Sequence, residues 1–314
     1  MRLIFLLPFY LAIAASCGPK KKEKEPPPNP RSAELLAVYQ AKLQEAASIR
    51  NPTNKWLTPS DCDGIVWAGK YSCGIGPQSD VDIGAAEYPD QPGRYDRRPP
   101  PYCWTPETGD QGSKTTWSRD MGIAGLMPHA WCTRDLAMLE EHAKYGEAHK
   151  WSMGEPYADG RAVYSPSVVG MLYSLIYSLG GNDNPARGWP GFYPPGLDDY
   201  QAHLQVMDIW LRGELYGSSP NPVRELPQEG SLTFLDISST MYSRLTEHAK
   251  RESECAFYAY VKGVYDGTQD RTIELLLAYP QPQCSYVRAN DTAKAGLAEW
   301  LFVARQTLIK LKEI

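Results

Sequence analysis

The sequence predicts an all-α protein. Three observations carry the prediction. Apolar residues recur at helical spacing in one segment after another. Gly and Pro punctuate those segments where helices begin and end. No run alternates apolar and polar residues as a half-buried strand would. About nine or ten helices are expected, with loops of unequal length and no fixed repeat period. Antiparallel helix pairs around one core, with long loops on one side, describe an α/α toroid. An irregular helical bundle is the alternative.

The elements follow in chain order. Ser32 to Arg50 reads as a helix, with Leu35, Leu36, Tyr39, Leu43 and Ala46 on its apolar stripe. Thr58-Pro59-Ser60 opens a second, carrying Ile65, Val66 and Trp67; Pro is tolerated in a first turn, whose N–H groups are unpaired anyway. From Gly74 to Gly112 the pattern breaks into a Pro- and Gly-rich loop. A loop this long in a compact domain is often functional. Arg94, Tyr95, Arg97, Arg98, Tyr102 and Trp104 supply its contact groups.

Ser118 to Trp131 is a helix that Pro128 should kink or end. Thr133 to Lys150 follows, and the short connection predicts an antiparallel hairpin. The next helix runs from Ser165-Pro166 to Gly180-Gly181. Ser165 is placed to cap it, and its near-uniform apolarity makes it an inner helix. After a loop at 182–196, helices are expected over 198–216, 232–250, 252–265, 269–278 and 291–312.

The N-terminus reads as delivery. One Arg, an apolar run from Leu3 to Ala15 and small residues form an export signal, too short to span a bilayer. Ala14-Ala15-Ser16-Cys17 resembles a bacterial lipobox, which implies cleavage and lipidation at Cys17, although Ala14 stands where that pattern prefers Leu. An ordinary signal cut near Ala14 or Ala15 is the alternative. The expected organisation is a signal at 1–16, a lipidated Cys and a charged, Pro-rich tether at 17–31, and one helical domain at 32–314. Four Lys in the tether also suit weak contact with anionic lipid.

Composition narrows the function. A net charge of −5 and a body without basic clusters argue against nucleic acid as partner. Tyr (20) and Trp (9) outnumber Phe (6), a bias that suits sugar-binding clefts and also any extracytoplasmic surface. Beyond Cys17 the cysteines are Cys62, Cys73, Cys103, Cys132, Cys255 and Cys284. An even number in an exported chain implies three disulfides, and local pairing would join Cys62–Cys73, Cys103–Cys132 and Cys255–Cys284. C-x-x-C spacing is absent, and so is H-E-x-x-H at His129, His142 and His149, so no metal or cofactor is expected.

The richest stretch runs from Thr115 to Tyr164. Trp117-Ser118-Arg119-Asp120 has the form W-x-R-D and resembles a short motif of α/α-toroid glycosidases, glucoamylase-like enzymes among them. The resemblance implies that Arg119 and Asp120 grip sugar hydroxyls beside the scissile bond while Trp117 walls the pocket. A guanidinium and a carboxylate suit vicinal hydroxyls, and an indole covers an apolar sugar face. The competing reading is a helix start, with Ser118 as cap and Asp120 favouring the dipole; Thr133-Arg134-Asp135 repeats that grammar.

Glycosidic cleavage usually takes two carboxyls. Asp120 and Glu155 are the candidate catalytic pair, Glu155 as an acid in an apolar, aromatic setting between Trp151 and Tyr157. Trp151, Asp159, Arg161 and His203 are candidate substrate contacts, although a satisfied buried histidine explains His203 as well. A helical hairpin should return Glu155 to the level of Trp117–Asp120. The expectation is an exported lipoprotein acting on a poly- or oligosaccharide as a glycoside hydrolase. The alternative is a non-catalytic surface lipoprotein that binds glycan or another protein.

Overall fold

A computed structural model describes residues 30–57, 62–102, 115–155, 162–182, 199–216, 234–289 and 293–314. Among these the regular structure is helical: α1 (Pro30–Ile49), α2 (Gly64–Ile75), α3 (Met127–Thr133), α4 (Leu136–Ala148), α5 (Pro166–Ser178), α6 (Asp199–Tyr216), α7 (Phe234–Arg251), α8 (Ala256–Asp266), α9 (Asp270–Ala278), α10 (Ser285–Ala289) and α11 (Ala293–Lys310). A 3-10 turn spans Ile83–Ala86, a π-helical turn spans Met121–Leu126, and two isolated bridges join Glu87 to Tyr95 and Ser152 to Val163.

Two helices form the centre. α11 packs on α2 and α1, and is buried continuously from Ala295 to Ala304. α2 is buried from Gly64 to Gly74 and packs also on the π turn and α3. Small residues permit that approach: a Cβ on Gly69 would lie 2.1 Å from the Gly125 carbonyl oxygen, so two backbones meet there with no room for a side chain. Around this centre α4 packs on α5, α5 on α6, α6 on α10, and α8 on α7, α9 and α11. The expected helix periodicity is therefore real, but a stripe is too narrow a description of α2 and α11, which are covered on all sides.

Several local expectations need correction. Pro128 does not break its helix. It occupies the first turn of α3, and the preceding turn widens into the π-helical Met121–Leu126, which accommodates the missing N–H. α4 begins at Leu136 rather than Thr133, because Arg134 is left-handed (φ 65°) and Asp135 caps, its Oδ1 accepting from the Met138 N–H at 3.1 Å. Ser165 precedes α5 without capping it through its side chain; its hydroxyl meets Ser167 Oγ at 2.8 Å. α10 was not expected, being too short for periodicity to show.

Cysteine pairing differs from the local guess. Cys73 bonds Cys132, tying the last turn of α2 to that of α3, with Cα atoms 5.1 Å apart. Cys62–Cys73 and Cys103–Cys132 are therefore not the pairs: helix packing, not sequence proximity, brings Cys73 and Cys132 together. Cys255–Cys284 is formed as expected, with Cα atoms 4.4 Å apart. Cys62 is also disulfide-bonded. Cys17 and Cys103 lie outside the described residues. Among the described residues no helix is long and apolar enough to cross a membrane.

Candidate functional site

The loop expected to be functional folds back on the W-x-R-D segment. Its core is a tight turn: Gln91 N–H donates to Tyr88 O, Arg94 N–H to Gln91 O, and Tyr88 N–H to Arg94 O, each at 2.9–3.0 Å. Gly93 makes the turn possible. Its φ is +81°, and a Cβ there would lie 2.2 Å from the Glu141 carbonyl, so the loop touches α4 backbone to backbone. Glu87 closes the turn by accepting the Gly93 N–H at 2.6 Å.

This turn presents two buried guanidiniums. Arg97 donates to Thr115 O at 2.7 Å, Asp63 Oδ1 at 2.9 Å and Ser118 Oγ at 3.0 Å. Ser118 Oγ in turn donates to Asp120 Oδ1. Arg94 is only 5% exposed; it donates to Gln91 Oε1 at 2.9 Å and pairs with Glu155 Oε1 at 3.5 Å. Its guanidinium covers the Tyr88 ring at 4.1 Å, and Tyr88 stacks on Tyr102 with centroids 4.7 Å apart. Arg94 Nε is buried and finds no acceptor among the described residues. The Tyr88 hydroxyl donates to the buried Asp96 Oδ2 at 3.0 Å; burial first, and then the Asp96 charge, push its pKa up.

Behind this layer runs a directional chain of hydrogen bonds. His142 Nδ1 meets the Gly93 carbonyl at 2.8 Å, and a carbonyl only accepts, so Nδ1 carries the proton. His142 Nε2 must then accept from the Tyr164 hydroxyl at 2.9 Å, and Tyr164 Oη accepts from the Trp117 indole N–H at 3.1 Å. All three rings are buried. Burial drives the His142 pKa down to about 4, against a smaller effect of Gly93. Burial likewise raises the Tyr164 pKa, opposed by the Trp117 bond and assisted by Asp120. The chain fixes the position of Trp117 relative to the turn at Gly93.

The hairpin argument for Glu155 is met at the backbone. Thr116 N–H donates to Glu155 O at 2.6 Å, and Glu155 N–H donates to Thr116 Oγ1 at 2.8 Å. Gly154 allows this approach, since a Cβ there would lie 2.6 Å from Trp117 Cβ. Segment 115–120, residues 153–155 and the turn at 87–98 therefore meet.

The expected side-chain roles fare less uniformly. Trp117 is fully buried with its N–H committed to Tyr164, so it does not wall an open pocket. Asp120 is 6% exposed and holds Ser118, and Arg119 is half-buried beside it. Ser118 does not act as a simple helix cap, for its hydroxyl links Arg97 to Asp120. Glu155 is half-exposed and faces Arg94; the apolar surroundings expected for it are replaced by a cation that the sequence places sixty residues away. Trp151 packs on Tyr173 (centroids 5.7 Å) and over Gly146. His203 lies elsewhere, buried on α6 beside Lys70 Nζ at 3.0 Å and stacked on Tyr286. Asp159, Arg161, Tyr157 and Trp104 lie outside the described residues.

Sequence reasoning assigned no distinct roles to Arg94 and Arg97 and passed over Tyr88, Asp63 and Asp96. The available signal was charge density in a loop with few apolar residues, which a globular chain buries only when it is paired. Chemically, the face offers an aromatic stack, a guanidinium with a spare donor and a partly exposed carboxylate. No group of three or more His, Cys, Asp or Glu among the described residues is placed to hold a metal. No family model, curated protein or solved structure matches the chain.

Proposed function

We propose that the protein binds a poly- or oligosaccharide at the face formed by Tyr88, Tyr102, Arg94 and Glu155. The observation that carries this reading is Arg94: a nearly buried guanidinium held between the Tyr88 ring and Glu155, with one N–H lacking an acceptor among the described residues. A buried donor without a partner costs about 1–3 kcal/mol, which a ligand hydroxyl would recover once the turn moves to uncover Nε. Aromatic rings stacked beside it suit the apolar face of a sugar, and Glu155 can accept from vicinal hydroxyls.

Hydrolysis is the second reading, favoured by the hydrogen bonds that hold Glu155 against the W-x-R-D segment. In it Asp120 and Glu155 are the carboxyl pair, and substrate takes over the contacts that Ser118 and Arg94 make with them. A separation of ~5–5.5 Å would then mean retention, and ~6.5–9.5 Å inversion. Neither reading requires a cofactor or a metal.

The setting belongs to the same proposal. A signal at 1–16 and a lipidated Cys17 would anchor the protein to a bacterial envelope membrane through the tether at 17–31. Disulfides at Cys73–Cys132 and Cys255–Cys284 support an oxidising compartment. The finer reading, an α/α-toroid-like arrangement, draws support from the packing of the last described helix, α11, on the first two, α1 and α2.

The test uses full-length Cys17→Ser protein, released from any lipid anchor, against a panel of insoluble and soluble glycans. Retention on at least one glycan, lost in Arg94→Met, supports binding. Release of reducing ends, lost in Asp120→Asn and Glu155→Gln, supports hydrolysis. No retention and no release across the panel would overturn both.

A further inference from the structure

α2, α6, α8, α10 and α11 enclose a second charged cluster. Lys70 and Glu299 are both 0% exposed, and Lys70 Nζ lies 2.5 Å from Glu299 Oε2. The other carboxylate oxygen, Oε1, accepts from the Tyr286 hydroxyl at 2.5 Å. His203 Nε2 sits 3.0 Å from the amine. Trp67, Phe257 and Tyr286 surround Nζ, their ring centroids 4.7–5.6 Å away. Two charges removed from water in this way are costly to keep, since desolvation of each ion amounts to several kcal/mol. The cluster also holds the parts of an acyl-transfer reaction: an amine, a carboxyl polarised by a hydroxyl donor, and a base.

We infer that Lys70 and Glu299 condense into an intramolecular amide, a self-formed cross-link between α2 and α11. A proton first passes from Nζ to Oε2, leaving a neutral amine and a neutral acid. The Nζ lone pair attacks Glu299 Cδ, and the Tyr286 hydroxyl stabilises the charge that develops on Oε1. His203 Nε2 takes one proton from the nitrogen and returns it to the Oε2 hydroxyl, which departs as water. One C–N bond forms, one C–O bond breaks, one water leaves, and nothing is oxidised or reduced. The product carries no charge, and its groups remain satisfied: the amide oxygen by Tyr286, the amide N–H by His203. Protonation states fit these roles. Burial lowers the Lys70 pKa against the opposing Glu299 charge, and burial together with Lys70 keeps His203 neutral. Burial and the Glu299 charge keep the Tyr286 hydroxyl protonated.

Peptide mass spectrometry of the folded, full-length protein, reduced, alkylated and cut with trypsin, decides the question. An amide blocks cleavage after Lys70 and joins peptide 56–94 to peptide 295–305, one water lighter than their sum. The branched peptide is expected in wild type and absent in Lys70→Met. Glu299→Gln should give the same product with loss of ammonia. His203→Asn and Tyr286→Phe should each slow its appearance by about 100-fold. Recovery of linear 56–70 and 295–305 from wild type, without the branched species, overturns the inference, and that readout needs no variant to fold. Unchanged rates in both His203→Asn and Tyr286→Phe would overturn the assigned roles.

Discussion

Acid should unfold this protein earlier than its carboxylates alone would require, because its buried histidines, His142 and His129 among them, must stay neutral. The His142 and His129 pKa values are both lowered to about 4 from 6.5, in each case chiefly by burial. Each is held by a defined hydrogen bond, His142 to Gly93 O and His129 Nδ1 to Ser72 Oγ, both at 2.8 Å. For a histidine with a depressed folded pKa, the unfolded chain binds the extra proton first. Stability is therefore full above pH 6.5 and is lost as pH falls towards 4. One pKa unit corresponds to about 1.4 kcal/mol, so each histidine should cost roughly 2 kcal/mol between pH 7 and pH 5. His142 carries a structural penalty as well. A proton on Nε2 would turn that nitrogen from acceptor to donor, so the Tyr164–His142 bond would have to reverse, with Tyr164 Oη accepting from His142 as well as from Trp117 and its own O–H losing His142 as acceptor. The assay is urea unfolding at several pH values, comparing slopes for wild type and His142→Gln. Wild type should lose about 4 kcal/mol from these two groups over that window. The variant, whatever its stability at pH 7, should lose about 2 kcal/mol less. Equal slopes in both proteins, or a His142 that titrates near 6.5 by NMR, would refute the reasoning.

Three further outcomes are expected. Gly69→Ala places a Cβ 2.1 Å from the Gly125 oxygen, backbone against backbone, and should destabilise by at least ~1–3 kcal/mol in thermal melts; an unchanged melting temperature would contradict the α2 crossing. Replacing Cys73 and Cys132 by Ala releases a loop of 59 residues and should cost roughly 4 kcal/mol in urea unfolding, slightly more than the same change at Cys255 and Cys284, whose loop is 29; a free thiol titre at Cys73 in the native protein would contradict the pairing. Glu155→Gln leaves the buried Arg94 without its carboxylate. Because Glu155 is over a third exposed, the loss should be about 1 kcal/mol rather than the 3–5 of a fully buried pair, and a change near zero would show that solvent already screens it.

Particular residues show what could be read from sequence. α5 was visible because Pro166 and Gly180 bracket an apolar run, and α1 because Leu35, Tyr39 and Ala46 keep helical spacing. The hairpin geometry led to Glu155 lying level with Trp117–Asp120, and the backbone bonds of Glu155 to Thr116 put it beside that segment. Pairings that depend on tertiary packing were not legible. Cys73 meets Cys132 across a helix contact, and Glu155 meets Arg94 across sixty residues. Trp117 read as a pocket wall because the W-x-R-D motif resembles one in which the Trp has that place; its burial follows from Tyr95, His142 and Tyr164, which come from three other segments. Asp208 and Arg212, one helical turn apart on α6, pair at 3.1 Å with the carboxylate buried and the guanidinium partly so. Lys70 gave no warning at all, since a lone Lys in an apolar helix reads as an exposed edge until its partner is known.

Hydrogen exchange of the Cys17→Ser protein, with and without a glycan retained from the panel, tests the central claim most directly. Amides that open locally become protected when a ligand ties down the groups around them. If glycan binds where Arg94 offers its spare donor, protection should appear in peptides covering 87–98 and 115–120 and fall away in Arg94→Met. Protection confined to other segments, or a glycan panel from which nothing is retained, would contradict the account.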